Sequence, residues 1–202
     1  MKKQIIGIVD YGLSGNILNI KKAVEAADDN IEIIIAKDEK GLQKADKLIL
    51  PGVGAYGDAM QKIKPIQETL VEEAKKKYTL GICLGMQLLS TRGFEFGEHK
   101  GLDLIDGEVR KIEVHGRVPH LGWASIEIVK QSAILKNISE NDNFYFMHSY
   151  EFINYKNVVA LSNYMGHKFV SVVEKENIFG VQFHPEKSRE VGLKVFKNFI
   201  GL

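Results

Sequence analysis

The chain has 202 residues, of which 45% are hydrophobic and 26% charged, values that are ordinary for a globular protein. Its 27 basic and 26 acidic residues give a net charge of +1, which offers no basis for binding nucleic acid or an anionic membrane. A single cysteine excludes a disulfide framework, and no run of 18 apolar residues occurs, so we expect one soluble, cytoplasmic domain over residues 1–202.

The first half of the chain alternates short apolar runs with helical patterns. The run at 5–9 predicts a strand that is buried on both faces of a parallel sheet, and the runs at 31–36 and 47–50 predict the second and third strands. Helices are predicted after the first strand, with Ile17 and Ile20 inward, and again at 65–77. This alternation predicts an α/β fold with a doubly wound, mostly parallel sheet. The dinucleotide fingerprint G-x-G-x-x-G is absent, and we expect no cofactor and no metal.

A glycine-rich loop at 51–57 follows the third predicted strand. Ligands of open α/β sheets bind at the carboxyl ends of the strands, where this loop lies. It lacks the Gly-Lys-Ser/Thr of a nucleotide-binding loop, and its N–H groups suit a carbonyl oxygen or a carboxylate.

The second half of the chain has a different pattern, in which strands predominate. Strands are predicted at 108–114, 124–129, 144–150, 158–161, 169–173 and 180–183. A polar turn at 175–177 predicts a hairpin between the last two. We therefore expect a mixed sheet with a β-rich antiparallel extension, closed by an amphipathic helix at 188–202.

The only cysteine, Cys83, lies between a predicted strand and a predicted helix, with Gly81 and Gly85 on either side. This spacing is typical of a nucleophile elbow in which sulfur replaces oxygen. The glycines permit a sharp turn, and the helix N-terminus stabilises a thiolate. The N–H of Leu84 would point at an oxyanion formed by attack on a carbonyl. The alternative is a buried structural cysteine, which is equally common.

A base for this cysteine is predicted at His184, which follows an apolar strand and precedes Pro185 and Glu186. Proline ends the strand, and Glu186 is close enough to orient the imidazole, which gives nucleophile, base and orienter. The alternative is a strand-ending turn with two solvated polar residues.

These motifs resemble the class I (triad) glutamine amidotransferases. The resemblance rests on residues 81–87, on residues 182–188 and on Pro51-Gly52-Val53-Gly54, which is similar to the oxyanion loop of the family. Within that family, residues 10–12, 119–123 and 148–150 resemble most closely the glutaminase subunits of imidazole glycerol phosphate synthases.

The resemblance implies a role for each matching residue. Cys83 attacks the side-chain amide of glutamine, His184 transfers the proton and Glu186 orients His184. The N–H of Leu84 and one N–H of the loop, from Gly52 or Val53, hold the oxyanion. The implied substrate contacts are Gly54, Gln87, Glu95, His148, Ser149 and Tyr150.

The resemblance also implies a partner, because ammonia released to water is lost. In this family the partner is a (βα)₈-barrel cyclase, which forms a heterodimer with the glutaminase. The cyclase uses the ammonia to make imidazole glycerol phosphate and AICAR in histidine biosynthesis. We expect the contact surface at Lys187, Trp123 and the turn of Leu121 and Gly122, although Trp123 also suits a core anchor.

Two departures from the family pattern leave other functions open. The loop 12–16 carries one residue more than usual, and Ala124 replaces an asparagine that we expect to face the partner. A paralogous glutaminase that supplies a sugar-modifying amidotransferase is therefore an alternative. A cysteine hydrolase and a non-catalytic binding subunit are further alternatives, which the intact triad and Gln87 disfavour.

Overall fold

The structure is a computed structural model that describes residues 3–12, 16–153 and 156–202. None of the helices in these ranges is both long and apolar enough to cross a membrane. The α-helices within these ranges are α1 Ile17–Ala27, α2 Glu39–Lys44, α3 Tyr56–Ile63, α4 Gln67–Lys76, α5 Leu84–Leu88 and α6 Arg189–Ile200. Short 3₁₀ turns occupy Lys64–Ile66, Ala133–Leu135 and Pro185–Lys187.

The strands group into one large sheet and two small ones. Those of the first half are β1 Gln4–Val9, β2 Ile31–Ala36, β3 Lys47–Leu50, β4 Thr79–Ile82, β5 Arg92–Gly93 and β6 His99–Lys100. Those of the second half are β7 Glu108–Lys111, β8 His120–Ser125, β9 Glu127–Ile128, β10 Asn143–His148, β11 Tyr150–Ile153, β12 Val158–Tyr164, β13 His167–Lys175 and β14 Ile178–Val181.

The large sheet is mixed, as the sequence predicts. Its strand order is β2-β1-β3-β4-β14-β13-β12-β9, with parallel pairing from β2 to β14 and antiparallel pairing from there to β9. The hairpin between β13 and β14 is confirmed. Strands β8 and β10 form a separate antiparallel ribbon, and β11-β7-β5-β6 form the third sheet.

Hydrophobic clusters cover both faces of the large sheet. In β3, Ile49 packs into the cluster that includes α1 and α6, whereas Leu48 and Leu50 pack into the cluster that includes α2, α3 and α4. Successive residues of a strand point to opposite faces, so a strand covered on both faces is apolar throughout. This is why the continuous apolar runs marked β1, β3 and β4 correctly, whereas β2, at the edge of the sheet, is only half-buried.

Four of the five parallel strands, β1, β3, β4 and β14, end side by side at the same edge of the large sheet. The residues that follow them are 10–12, 51–55, 83 and 182–184. We call these residues the catalytic edge, and we call β8 with β10 the ribbon.

Two of the predicted strands are wrong, because each merges two strands of different sheets. The strand predicted at 124–129 is the end of β8 followed by β9, and the one predicted at 144–150 is β10 followed by the start of β11. The chain changes sheets at a single residue, Ile126 or Ser149, so the alternation of side chains continues without a turn signal.

Other boundaries differ in smaller ways. The predicted strand at 108–114 ends at Lys111, and the helix predicted from residue 65 starts with the 3₁₀ turn around Pro65. The loop predicted at 51–57 is shorter, since α3 begins at Tyr56. The helices α2 and α3 and the short strands β5 and β6 were not predicted. The extra residue proposed for the loop 12–16 concerns Leu13, Ser14 and Gly15, which lie outside the described residues.

Candidate active site

Cys83 lies on the sharp turn that its glycine neighbours predict. Its φ of 52° and ψ of −111° place a non-glycine residue in a sparsely populated conformation between β4 and α5. A Cβ on Gly81 would lie 2.7 Å from the carbonyl oxygen of Gly85, and one on Gly85 only 1.8 Å from that of Leu50. Neighbouring backbone segments therefore lie so close at Gly81 and Gly85 that only glycine fits at either position.

His184 and Glu186 form a buried pair just after β14. His184 Nδ1 lies 2.7 Å from Glu186 Oε1, and both side chains are excluded from solvent. Nδ1–H therefore donates to the carboxylate, which leaves Nε2 as the nitrogen available to a reacting group. Among the described residues, Nε2 is buried without a partner in hydrogen-bond geometry.

The charge on Cys83 acts directly on His184. Burial alone would lower the pKa of His184, but the negative charge of Cys83 and then the hydrogen bond to Glu186 raise that pKa to about 10. With that pKa the imidazole is protonated at neutral pH, and Cys83 and His184 line the same cavity. The structure brings Cys83, His184 and Glu186 together, as the sequence predicts.

Asn16 is a member of this group that the sequence did not reveal. Its Nδ2 donates to Glu186 Oε1, the same oxygen that accepts from His184. Asn16 precedes α1, where asparagine usually caps the helix, yet its side chain makes no capping hydrogen bond. An asparagine at a helix start normally indicates a cap, so its contact with Glu186, 170 residues away, gave no local signal.

Two buried glutamines connect the sulfur to β11. Gln87 Nε2 donates to the carbonyl of Tyr150 at 2.9 Å and to Gln182 Oε1 at 3.0 Å. Gln182 Nε2 in turn lies 3.6 Å from Cys83 Sγ. On the other side, Cys83 Sγ lies 3.7 Å from the carbonyl oxygen of Met147.

The glycine-rich loop before α3 is held at both ends. The hydroxyl of Tyr11 donates to the carbonyl of Pro51 at 2.7 Å, and Glu95 Oε2 accepts from the N–H of Tyr56 at 2.7 Å. Burial raises the pKa of Tyr11 and the pKa of Glu95. By accepting from Tyr56, the carboxylate of Glu95 satisfies an N–H at the start of α3 that has no partner within the helix.

The middle of the loop lines the same cavity as Cys83. Gly52 packs so closely on α5 that a Cβ there would lie 2.2 Å from the N of Gly85, and Gly54 has a φ of 101°. The structure gives the N–H groups of Val53 and Gly54 no acceptor among the described residues. Beside the N–H of Leu84, these donors are available to a developing oxyanion.

A cavity of about 250 Å³ brings the predicted site residues together. Its size suits a ligand such as an amino acid rather than a larger one. Glu186 is absent from its lining because it lies behind His184. The cavity is lined by Gly52, Val53, Gly54, Cys83, Leu84, Gln87, Glu95, Pro119, Met147, His148, Ser149, Tyr150 and His184. Pro119 and Met147 are lining residues to which sequence reasoning gave no substrate contact.

A pair of histidines supports the ribbon wall of this cavity. His148 Nδ1 lies 2.9 Å from the carbonyl of Tyr150, and His148 Nε2 lies 3.3 Å from His120 Nδ1. Since a carbonyl only accepts, Nδ1–H of His148 donates to it, and Nε2 of His148 accepts from His120. Burial lowers the pKa of His148 to about 3 and the pKa of His120 to about 4, so both rings are neutral.

The ribbon buries one face and exposes the other. Phe144 and Phe146 are buried, while Leu121, Trp123 and Met147 are 60%, 45% and 36% exposed. The exposure of Trp123 disfavours its interpretation as a core anchor. Ala124 pairs with Phe144 and packs against the core, so the expectation that this position faces a partner is wrong.

Comparisons with known proteins agree with this arrangement. The profile of the family described as "Glutamine amidotransferase class-I" matches residues 8–201. The "Imidazole glycerol phosphate synthase subunit HisH 1" of Campylobacter jejuni (strain RM1221) is 44% identical over 204 residues, covering 98% of this chain and 100% of that protein. The "Imidazole glycerol phosphate synthase subunit HisH" of Methanocaldococcus jannaschii is 42% identical over 199 residues, covering 98% and 100%.

Solved structures are similar in fold. One, titled "Structure of PurLQS from Thermotoga maritima", superposes with a TM-score of 0.77 at 20% identity and covers 99% of each chain. Another, titled "Crystal structure of glutamine amidotransferase", has a TM-score of 0.73 at 17% identity and covers 98% of this chain and 99% of that one.

Proposed function

The chain belongs to the class-I glutamine amidotransferase family, and from that premise we propose that it is the glutaminase subunit of an imidazole glycerol phosphate synthase. In this role it hydrolyses glutamine to glutamate and ammonia for histidine biosynthesis. The observation that carries the proposal is the arrangement of Cys83, His184 and Glu186. Cys83 and His184 line an amino-acid-sized cavity, and Glu186 is bonded to His184 behind it. We further propose one glutaminase domain over residues 1–202 and a cytoplasmic location.

The first half of the reaction forms a thioester. Cys83 Sγ attacks the side-chain amide carbon of glutamine, and the carbonyl oxygen becomes an oxyanion held by the N–H of Leu84 and an N–H of the loop 52–54. His184, which has taken the thiol proton, gives it to the amide nitrogen as the C–N bond breaks. Ammonia leaves, and a γ-glutamyl thioester remains on Cys83.

The second half hydrolyses the thioester. Water attacks the same carbon while His184 Nε2 takes its proton, and the oxyanion forms again in the same place. The C–S bond then breaks, glutamate leaves and the sulfur recovers its starting state. Glu186 keeps Nδ1 engaged throughout, so Nε2 is always the nitrogen that transfers the proton.

Substrate recognition is assigned to the remaining cavity residues. The carboxylate of Glu95 reaches the cavity and suits the α-ammonium group of glutamine. Backbone groups of His148, Ser149 and Tyr150 form the opposite wall, next to Gly54 and Gln87.

The ribbon supplies the surface for the partner, which we propose to be a (βα)₈-barrel cyclase. On its outer face Leu121 pairs with Met147 and Trp123 with Tyr145. Arg189 lies over the Trp123 ring and Lys187 over the Tyr145 ring. An exposed apolar surface rimmed by two cations is typical of a docking site, and tryptophan and arginine often dominate binding. Met147 also lines the cavity, so a docked partner would lie against the site that produces ammonia.

The proposed activity is tested with Cys83→Ala in the presence of the cyclase subunit. We expect the variant to fold and to lose glutamine hydrolysis, and 6-diazo-5-oxo-norleucine to label the native chain at Cys83 but not the variant. Undiminished ammonia release by the variant would contradict the proposal. Adding the cyclase matters because a glutaminase that is gated by its partner is nearly silent alone.

The partner is tested by co-purification of the tagged chain from its own cells. Recovery of a histidine-pathway cyclase supports the proposal, and recovery of a sugar-modifying amidotransferase in its place contradicts it.

A further inference from the structure

Gln182 has a position that the proposed triad does not explain. It follows β14, is completely buried, and lies between Gln87 and the sulfur of Cys83. A buried amide is costly unless its polar atoms are paired, and the partners of this amide are a second amide and the reacting sulfur.

The neighbouring donors and acceptors fix which end of Gln182 faces the sulfur. The carbonyl of Tyr150 only accepts, so the atom of Gln87 that faces it is Nε2. The second hydrogen of the same nitrogen points to Gln182, which therefore presents Oε1 to Gln87. The remaining end of Gln182, Nε2, lies 3.6 Å from Cys83 Sγ and donates to it.

The sulfur is thus flanked by groups that prefer different protonation states. A thiol donates weakly to the carbonyl of Met147, 3.7 Å away, whereas a thiolate has no hydrogen to donate and is repelled by that oxygen. A thiolate accepts the N–H of Gln182, and hydrogen bonds to an ionised group are about twice as strong as neutral ones.

We propose that Gln182 stabilises the thiolate of Cys83 directly, as a second positive pole besides His184, and that Gln87 is a positioning residue that orients Gln182. The proposal rests on the role of Cys83 as the nucleophile. Both hydrogens of Gln87 Nε2 are used within the protein, so its amide nitrogen has none left for glutamine.

The test measures alkylation of the full-length chain by iodoacetamide as a function of pH. Because the chain has only one cysteine, the reaction reports Cys83 alone and needs neither glutamine nor a partner. In Gln182→Met, which keeps the volume but removes the donor, we expect the midpoint of the profile to move up by about one pH unit, with about tenfold slower alkylation below it.

Two further variants sharpen the test. Gln182→Glu still offers Gln87 an acceptor but turns a carboxylate towards the sulfur, so its midpoint should move further than that of Gln182→Met. The matched control is Ser171→Ala, which removes a buried hydroxyl on the neighbouring strand β13 that has no partner among the described residues. This control should leave the midpoint in place.

An unchanged midpoint in folded Gln182→Met would overturn the inference, whatever happens to glutamine turnover. Should that variant fail to fold, Gln87→Met decides, because loss of the orienting amide should move the midpoint in the same direction by a smaller amount; no movement overturns the inference. Shifted alkylation profiles in a chain that never hydrolyses glutamine would contradict the proposed function and leave this inference standing.

Discussion

The catalytic edge and the ribbon form opposite walls of the same cavity, but the chain holds them very differently. At the catalytic edge, Cys83 has a strained backbone conformation, and Gly85 has no room for a methyl group. In the ribbon, Gly122 is surrounded by open space, and one face of the two strands carries exposed side chains. The reacting groups therefore lie on backbone that the core fixes, whereas the wall that faces outward is free to serve a partner.

Paired glycine substitutions should give the largest difference between the two walls. In Gly85→Ala the new Cβ would lie 1.8 Å from the Leu50 oxygen, so the turn at Cys83 must move. We expect the free energy of unfolding to fall by about 3 kcal/mol or more and glutamine hydrolysis to be lost. Gly122→Ala places a Cβ in open space at a φ of 146° and should cost only about 1 kcal/mol. Equal shifts in urea-unfolding midpoints would contradict the comparison.

Asn16 offers a more selective way to weaken the catalytic edge. Asn16→Ala removes a donor to Glu186 Oε1, so the orientation of His184 becomes less fixed. We expect kcat for glutamine hydrolysis with the cyclase to fall about tenfold while KM changes little. Asn19→Ala is the matched control, since Asn19 touches Asn16 but not the carboxylate. A change confined to KM would argue against a role for Asn16 in orienting the base.

The two buried histidines of the ribbon predict a dependence of stability on pH. The folded-state pKa of His148, about 3, and that of His120, about 4, lie below the ordinary histidine value of about 6.5. The unfolded chain therefore binds more protons below pH 6.5, and stability is fully present above that pH and falls as the pH drops towards 4. Urea midpoints at pH 7 and pH 5 measure this loss.

A variant separates this contribution from other acid-sensitive groups. In His120→Gln one of the two rings is gone, so the decrease between pH 7 and pH 5 should become smaller. A decrease as large as in the native chain would assign the acid sensitivity to groups other than His120.

The smallest effect on the isolated chain is expected on the outer face of the ribbon. Trp123→Ala should change the free energy of unfolding by no more than about 0.5 kcal/mol, since nearly half of the side chain is exposed. Its affinity for the cyclase should nevertheless fall by at least about tenfold. Val129→Ala, an equally exposed apolar change next to β9, should alter neither quantity. Unchanged affinity in Trp123→Ala, measured by calorimetric titration, would move the docking surface elsewhere.

The same two walls show how far sequence reasoning reached. Of the strands that lead to the catalytic edge, β1, β3 and β4 were predicted within about one residue, because burial on both faces makes them apolar throughout. The fourth, β14, was predicted at 180–183 and lies at Ile178–Val181. In the ribbon, β8 and β10 were merged with strands of other sheets, because alternation continues through Ile126 and Ser149 while the hydrogen-bonding partner changes. The periodicity of apolar residues indicates which face of a strand is buried, but it does not indicate which strand pairs with it.

The sequence by itself contains the signals on which the proposed chemistry rests: a lone cysteine between two glycines, and a histidine, proline and glutamate after a strand. Both signals are local, since they arise from the steric needs of one turn and from residues two positions apart. Only the tertiary structure decided that Asn16 donates to Glu186, that Gln182 donates to the sulfur of Cys83 and that Gln87 donates to Gln182. These contacts join residues 170, 99 and 95 positions apart, and hydrogen bonds over such separations depend on where the sheet places each strand.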